Sequence, residues 1–241
     1  LIGLGTIINT ASIILGGIIG HFAGKLFRED QREPICQACG VAVIFVSIAG
    51  AMEGMLKSEN GVIVSSRSML VVLCIVLGTV IGELIGIEKG FERFGEWLKR
   101  KTGNSSDPKF ANAFVTTSFT VCIGAMAIVG SIQDGVSGDF TMLAVKSVLD
   151  FIIVIVMTAS MGKGCVFSAI PVFILEGLVT LLATLIAPLL TDLAISYLSL
   201  VGGIIVFGVG VNLVWGKKLR VANMLPGVLL ALLAAYLPFF E

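Results

Sequence analysis

Charge is scarce in this chain: Asp, Glu, Lys and Arg together make up 13% of 241 residues, against 56% hydrophobic residues. That is too little polar surface to cover a water-soluble globule of this size. Histidine is scarcer still, with His21 alone, which leaves too few ligands for metal-assisted hydrolysis. The patterns HExxH, GxSxG and GxxxxGK followed by Ser or Thr are absent, so zinc-protease, serine-hydrolase and phosphate-loop chemistries have no footing. The filter phrase TVGYG is absent as well, which removes a potassium pore of that kind. Cys36-Gln-Ala-Cys39 has the spacing of a metal or redox pair, but no second pair accompanies it. It also falls on the reducing side of the membrane in the topology derived below, so neither zinc nor a disulfide is expected. No catalytic residue, cofactor or metal ligand is therefore assigned, and the expectation is a protein that is not an enzyme.

What the sequence has in abundance is apolar length, with a mean hydropathy of +1.04. A helix needs roughly 20 apolar residues to cross about 30 Å of hydrocarbon. Eight stretches between charge clusters meet that length: about 3–24, 35–56, 68–88, 111–132, 141–160, 164–188, 195–215 and 221–239. Alternating segments of about ten residues, the mark of a barrel, are absent. The expected fold is an all-α, polytopic transmembrane helical bundle of about eight helices, one domain over residues 1–241. Met161-Gly162-Lys163-Gly164 separates the fifth and sixth stretches so briefly that a broken or re-entrant element competes with a simple turn there. The first stretch lacks a charged region ahead of it and a small-residue cleavage site, and reads as a retained helix rather than a signal peptide.

Lysine and arginine orient the bundle, because short cytoplasmic loops carry the excess of both. The odd connections hold Lys25, Arg28, Arg32, Lys89, Arg93, Lys99, Arg100, Lys101, Lys109, Lys163, Lys217, Lys218 and Arg220, whereas the even ones hold Lys57 and Arg67. This places both termini outside and the odd loops in the cytoplasm. The basic loops are explained by topology alone, and nucleic acid is not implied. In the third connection, Phe91, Phe94, Trp97 and Leu98 stand at helical spacing among basic residues, the pattern of a short amphipathic helix on the cytoplasmic interface with Trp97 as anchor.

One phrase is written twice. Residues 45–61, FVSIAGAMEGMLKSENG, and 119–135, FTVCIGAMAIVGSIQDG, superpose at a shift of 74, and Pro34 and Pro108 are the same distance apart. Ahead of them, LGGIIGHFAG (15–24) and LGTVIGELIG (77–86) share glycines every fourth residue. The expectation is a parallel helical-hairpin repeat, about 3–61 and 67–135, with the remaining helices at about 141–239. The glycine after the acid or amide, Gly61 or Gly135, should turn the chain at the outer surface. The stripes Gly16, Gly20, Gly24 and Gly78, Gly82, Gly86 invite close helix packing and leave room for a homodimer. The sharper reading is that such helices slide, as in transporters built from repeats that hold solute near the midplane.

An ionisable group inside a bilayer costs roughly 2.5 to 3.5 kcal/mol and is a functional candidate by default. Asp150 lies near the middle of the fifth stretch with Lys146 one turn away on the same face. Glu176 lies near the middle of the sixth, five residues after Pro171, which can free a backbone carbonyl. A structural ion pair and a packing role compete with ion or proton coupling at these positions. Thr116 and Thr120 share a face of the fourth stretch, which is the most polar, and Gln133 and Asp134 follow it; hydroxyls in lipid also bond simply to i−4 carbonyls. Asn9 lies near mid-depth in the first stretch. His21 and Glu83 occupy matched places in the glycine repeats near the cytoplasmic end, and there, as for Glu53, a solvated snorkelling role competes with a gate or proton relay. Asn212 is read as a helix-to-helix hydrogen bond.

The phrases GAMAIVGSIQDG, VKSVLDF and GKGCVFSAIPV, together with the opening GTIINTASIILGGIIG, resemble the bacterial inner-membrane family catalogued as domain of unknown function 554 over nearly the whole chain. The resemblance implies a bacterial plasma-membrane protein and supplies neither substrate nor mechanism. Lys146, Asp150 and Gln133-Asp134-Gly135 lie within the matching phrases. The resulting expectation is a secondary transporter of a small polar solute or ion. Asp150 and Glu176, beside Lys146 and Asn9, would handle the coupling ion, and Thr116, Thr120, Gln133 and Asp134 would line the path. A channel and a non-transporting scaffold or regulator are the alternatives. The partners expected are the lipid bilayer and the solute.

Overall fold

The computed structural model describes residues 2–59, 61–104, 107–122 and 125–237. In chain order these form α1 (Leu4–Ala23), α2 (Glu29–Met55), the hairpin β1 (Leu56–Glu59) and β2 (Val62–Ser65), α3 (Ser68–Ile85), α4 (Ile87–Lys101), α5 (Phe110–Cys122) and α6 (Ala125–Ser137). Then come α7 (Thr141–Met161), a 3-10 turn (Lys163–Ser168), α8 (Ala169–Leu181), the short α9 (Ala183–Ile186), α10 (Asp192–Trp215), a second 3-10 turn (Val221–Met224) and α11 (Pro226–Ala234). In hydrocarbon every backbone N–H and C=O must be satisfied within its own segment, which is why the long apolar runs are helices.

Six helices among the described residues are long and apolar enough to cross a membrane, and seven if α5 and α6, inclined at 61° to each other, form one bent span. The expected eighth span is shorter than foreseen. The apolar helical stretch Val221–Ala234 reaches roughly 20 Å at about 1.5 Å per residue, less than the hydrocarbon thickness. Residues 238 and 239 of that expected span lie outside the described residues. Side chains such as Ile18, Ile19, Val72, Leu84 and Leu229 are exposed around the bundle, where lipid rather than water is their natural neighbour.

Two helix pairs organise the bundle. α2 and α10 run antiparallel, with Gly40 against Leu213 and Gly54 against Leu200. α1 and α7 run parallel: a Cβ on Gly16 would stand 2.7 Å from the Phe151 carbonyl oxygen, and one on Gly24 would stand 2.9 Å from that of Ala159. The first glycine stripe is therefore a contact surface for α7. Gly78 and Gly82 of the second stripe lie against Gly227 and Asn223 in the α11 region. Gly86 departs from the stripe, because its left-handed backbone (φ 73°) makes the corner between α3 and α4.

The two copies of the repeated phrase fold differently. α2 runs unbroken to Met55, and the chain reverses in the β-hairpin at Gly61, where φ is 78°. In the second copy residues 123 and 124 lie outside the described residues, as does Asn60 in the first. Gly135 sits inside α6, pressed on the Thr180 carbonyl and the Ala183 methyl, and the turn comes at Gly138, φ 72°. The expectation of a turn thus holds for Gly61 and fails for Gly135, whose missing side chain serves packing. Two prolines sit near helix starts. Pro34 lies in the second turn of α2, which starts at Glu29, and Pro171 lies in the first turn of α8, where a missing N–H costs nothing, so it does not free a carbonyl within that helix as expected.

The amphipathic helix forms as foreseen. In α4, Leu98 is buried, Phe91 meets Phe119 edge-on at 4.8 Å, and Phe94 stacks on Trp97 at 5.6 Å. Its start is held from afar by the Asn223 side chain, which accepts the Glu88 backbone N–H at 2.8 Å.

Candidate functional site

The intramembrane charges converge. Lys146 and Asp150, four residues apart on α7, form an ion pair, and Lys146 Nζ lies 3.6 Å from Glu176 Oε1 on α8. The two helices are bridged by α1, whose Asn9 Nδ2 donates to Glu176 Oε1 at 2.8 Å. Lys146 Nζ also donates to the Val121 carbonyl at the end of α5, at 2.8 Å. Relative exposures of 8% for Lys146, 7% for Asp150 and 1% for Glu176 side chains put all three charges out of solvent. Such a cluster persists only when partnered, because an isolated ion in this setting is far costlier than a paired one. Below it, the Thr6 and Thr180 hydroxyls meet at 3.4 Å.

Two cavities approach this region from opposite ends of the bundle. One, of about 750 Å³, opens at the end that carries the basic loops and is lined by Cys36, Thr116, Phe119 and Val209 with Glu33, Glu88, Glu92 and Glu96 around its mouth. The other, of about 770 Å³, lies toward the opposite end and is lined by Cys39, Thr120, Lys146, Asp150 and Val206, with Glu53, Asp192, Ser196 and Ser199 also on its wall. The same three helices, α2, α5 and α10, therefore line both. On each, the lining passes from one cavity to the other within one to three residues, Gln37 to Cys39 on α2, Phe119 to Thr120 on α5 and Val209 to Val206 on α10, a rise of under about 5 Å along the helix.

Lys217 sits at the mouth of the first cavity, bonded to Glu88 at 2.8 Å and to Glu92. Partial burial would lower its pKa, but the hydrogen bonds it donates to Glu88 and Glu92 outweigh that effect and hold it above the ordinary lysine value of 10.5. In the loop before α7, the Thr141 hydroxyl and backbone N–H bonded to Asp139 hold that carboxyl below its usual range.

The remaining candidates scatter. Asp134 is fully buried and accepts the Gly3 and Gly5 backbone N–H groups at 3.1 and 2.9 Å, so it caps the start of α1; a carboxylate there complements the positive end of the helix. Its neighbour Gln133 is half-buried and lines neither cavity. Thr120 donates its hydroxyl to the Thr116 carbonyl at 2.9 Å. His21 is half-buried at the end of α1, beside the Phe22 ring. Glu83 is exposed and pairs with Arg220 at 2.9 and 3.2 Å, which ties α3 to the turn before α11. Asn212 bonds to the backbone of residues 218 and 219, the turn after its own helix, rather than to another helix.

Sequence reasoning passed over Ser196, Ser199 and Asp192 of the second cavity and the four glutamates of the first. They belong to different segments, and only the packing of α2 on α10 and the Lys217 bridge to α4 bring them together.

The family described as Protein of unknown function (DUF554) matches residues 4–236 of this chain. The chain is 27% identical to the uncharacterized membrane protein YdfK of Bacillus subtilis (strain 168) over 226 residues, covering 94% of this chain and 93% of that one. It is 28% identical to the uncharacterized protein YqgA of Escherichia coli (strain K12) over 233 residues, covering 95% and 94%. No solved structure matches it.

Proposed function

We propose, from the premise that this chain belongs to the DUF554 family of proteins of unknown function, that it is a secondary transporter of a small polar solute or ion in the bacterial plasma membrane. On the lysine and arginine bias its basic loops face the cytoplasm and its N-terminus faces outside, and the C-terminus faces outside as well when the short Val221–Ala234 stretch is counted as a last crossing. It performs no chemistry on its solute. The observation that carries this reading is the pair of cavities: at opposite ends of the bundle, lined by the same three helices, and changing over on α5 between the adjacent residues Phe119 and Thr120. A carrier needs a solute position that can be reached from either side by small movements of the helices around it. The glycine contacts of α2 with α10 let these backbones approach closely, which suits sliding. Lys146 and Asp150 on the outer cavity, with Glu176 and Asn9 behind them, supply a coupling-ion site.

The test is thiol labelling in oriented membranes, using Thr116→Cys and Thr120→Cys in a chain whose five cysteines are replaced. With a membrane-impermeant reagent, position 116 should label from the cytoplasm and position 120 from outside, and solute should change both rates in opposite senses. Labelling of both positions from either side would mean a channel. Labelling of neither, with no uptake into proteoliposomes, would favour a scaffold and overturn the carrier.

A further inference from the structure

The buried cluster does not balance as three ions. Lys146 carries one positive charge, and Asp150 and Glu176 carry one negative charge each when ionised, so the group would hold a net negative charge out of solvent. The two acids are not equivalent. Asp150 makes the closer contact with the ammonium, whereas Glu176 stands 3.6 Å from it and receives its nearest hydrogen bond from a neutral amide, Asn9.

The hydrogen-bond inventory points the same way. Two buried oxygens in the cluster have no partner among the described residues: Asn9 Oδ1 and Glu176 Oε2. Both are acceptors when Glu176 is ionised, so neither can satisfy the other. They are the second oxygens of the two groups joined by the 2.8 Å bond from Asn9 Nδ2 to Glu176 Oε1, and a hydrogen on Glu176 Oε2 would turn one of these two acceptors into a donor for the other. We propose that Glu176 carries a proton on Oε2 and donates it to Asn9 Oδ1, closing a two-bond ring between carboxylic acid and amide and leaving the cluster neutral. The balance is simple: the carboxylate takes up one proton, an O–H bond forms, and Lys146 and Asp150 remain an ion pair.

The groups facing Glu176 from the elements around it fit this assignment. α1 presents Asn9 and Thr6, neither of which titrates. α7 presents Lys146 and Asp150. α5 presents Cys122, within electrostatic reach of all three charges. The acid of α6, Asp134, is engaged by the Gly3 and Gly5 N–H groups. Lys163, in the 3-10 turn that leads into α8, is exposed. No second cation therefore neutralises Glu176 among the described residues. Lys146 and Asp150 line the outer cavity and Glu176 does not, so a proton leaving Glu176 passes the ion pair, and Lys146 then stands between two carboxylates of equal claim. That bistable lysine is where proton release would act on helix position. This last step rests on the carrier reading; the protonation itself does not.

Infrared spectroscopy of the full chain in liposomes at neutral pH tests it. The parent should show the carbonyl stretch of a protonated carboxyl. The band should be lost in Glu176→Gln, which keeps the shape and the amide-compatible hydrogen bonds. In Asn9→Leu it should persist at higher frequency, since the ring bonds are gone; this second variant keeps the test alive if the first folds poorly. Absence of the band in the parent would overturn the proposal. So would its survival undiminished in Glu176→Gln, or its appearance only when sodium and potassium are withdrawn, which would give the two oxygens to a bound metal cation. Because no flux is read, a sealed, non-transporting protein that still shows the band would sink the carrier and leave the proton in place.

Discussion

Two lysines in this protein each stand between two carboxylates, and their surroundings make them different objects. Lys217, with Glu88 and Glu92, bridges the interfacial helix α4 to the end of α10, and about half of its side chain is in solvent. Lys146, with Asp150 and Glu176, joins α7 to α8 inside the bundle and is almost wholly shielded. At the first site water and counterions absorb the unbalanced charge, so geometry is loose and the energy small. At the second the side chains are under a tenth exposed, even where Lys146 and Asp150 border a cavity, so every charge and every oxygen has to be accounted for. A lysine between two acids thus makes a clasp at the edge of the bundle in one place and a site with a defined protonation state in the other.

The contrast breaks most visibly at Lys146. Lys146→Met leaves the buried Asp150 carboxylate without its cation and should cost about 3 to 5 kcal/mol, read as a fall in thermal midpoint in detergent or as loss of folded protein. Adding Asp150→Asn to that variant removes the uncompensated charge and should recover most of the loss. Failure of the double variant to recover would mean that Lys146 matters for its bond to Val121 rather than for charge.

Lys217→Met should cost about 1 kcal/mol, because Lys217 and Glu92 are about half in solvent although the Glu88 side chain is shielded, and raising the salt should shrink that while leaving the Lys146 effect unchanged. An equal cost at the two lysines would erase the distinction. The smallest effect is one of pH. The Lys217 pKa is raised in the folded state, so its contribution is complete below the unfolded value of 10.5 and fades as pH climbs through the higher folded value. A stability profile of Lys217→Met against the parent should therefore show a constant offset at neutral pH that closes only at strongly alkaline pH.

Part of this was legible in the chain. Lys146 and Asp150 are one helical turn apart, so their pairing is local and the i, i+4 rule finds it. Glu176 could be suspected from its depth, and Asn9 from its polarity at mid-span. The role of Asp134 was not legible: it caps a helix about 130 positions away in sequence, and nothing beside it announces that. Thr116 and Thr120 were singled out as one face, and the structure divides them between two cavities because α5 crosses the level at which the lining changes. The written repeat misled about Gly135, since a glycine that turns the chain and a glycine that admits a neighbouring helix are the same letter.

What the sequence determined by itself was the set of apolar helices and the interfacial helix α4, because hydrocarbon obliges each segment to satisfy its own backbone and amphipathic spacing is a property of a few consecutive residues. What only the tertiary structure decided was the company each helix keeps: α1 with α7, α2 with α10, and α3 with the α11 region. A stripe of small residues states that something can come close without stating what. The partner is chosen by complementary shape across segments far apart in the chain, and that choice makes four scattered polar residues into one buried site.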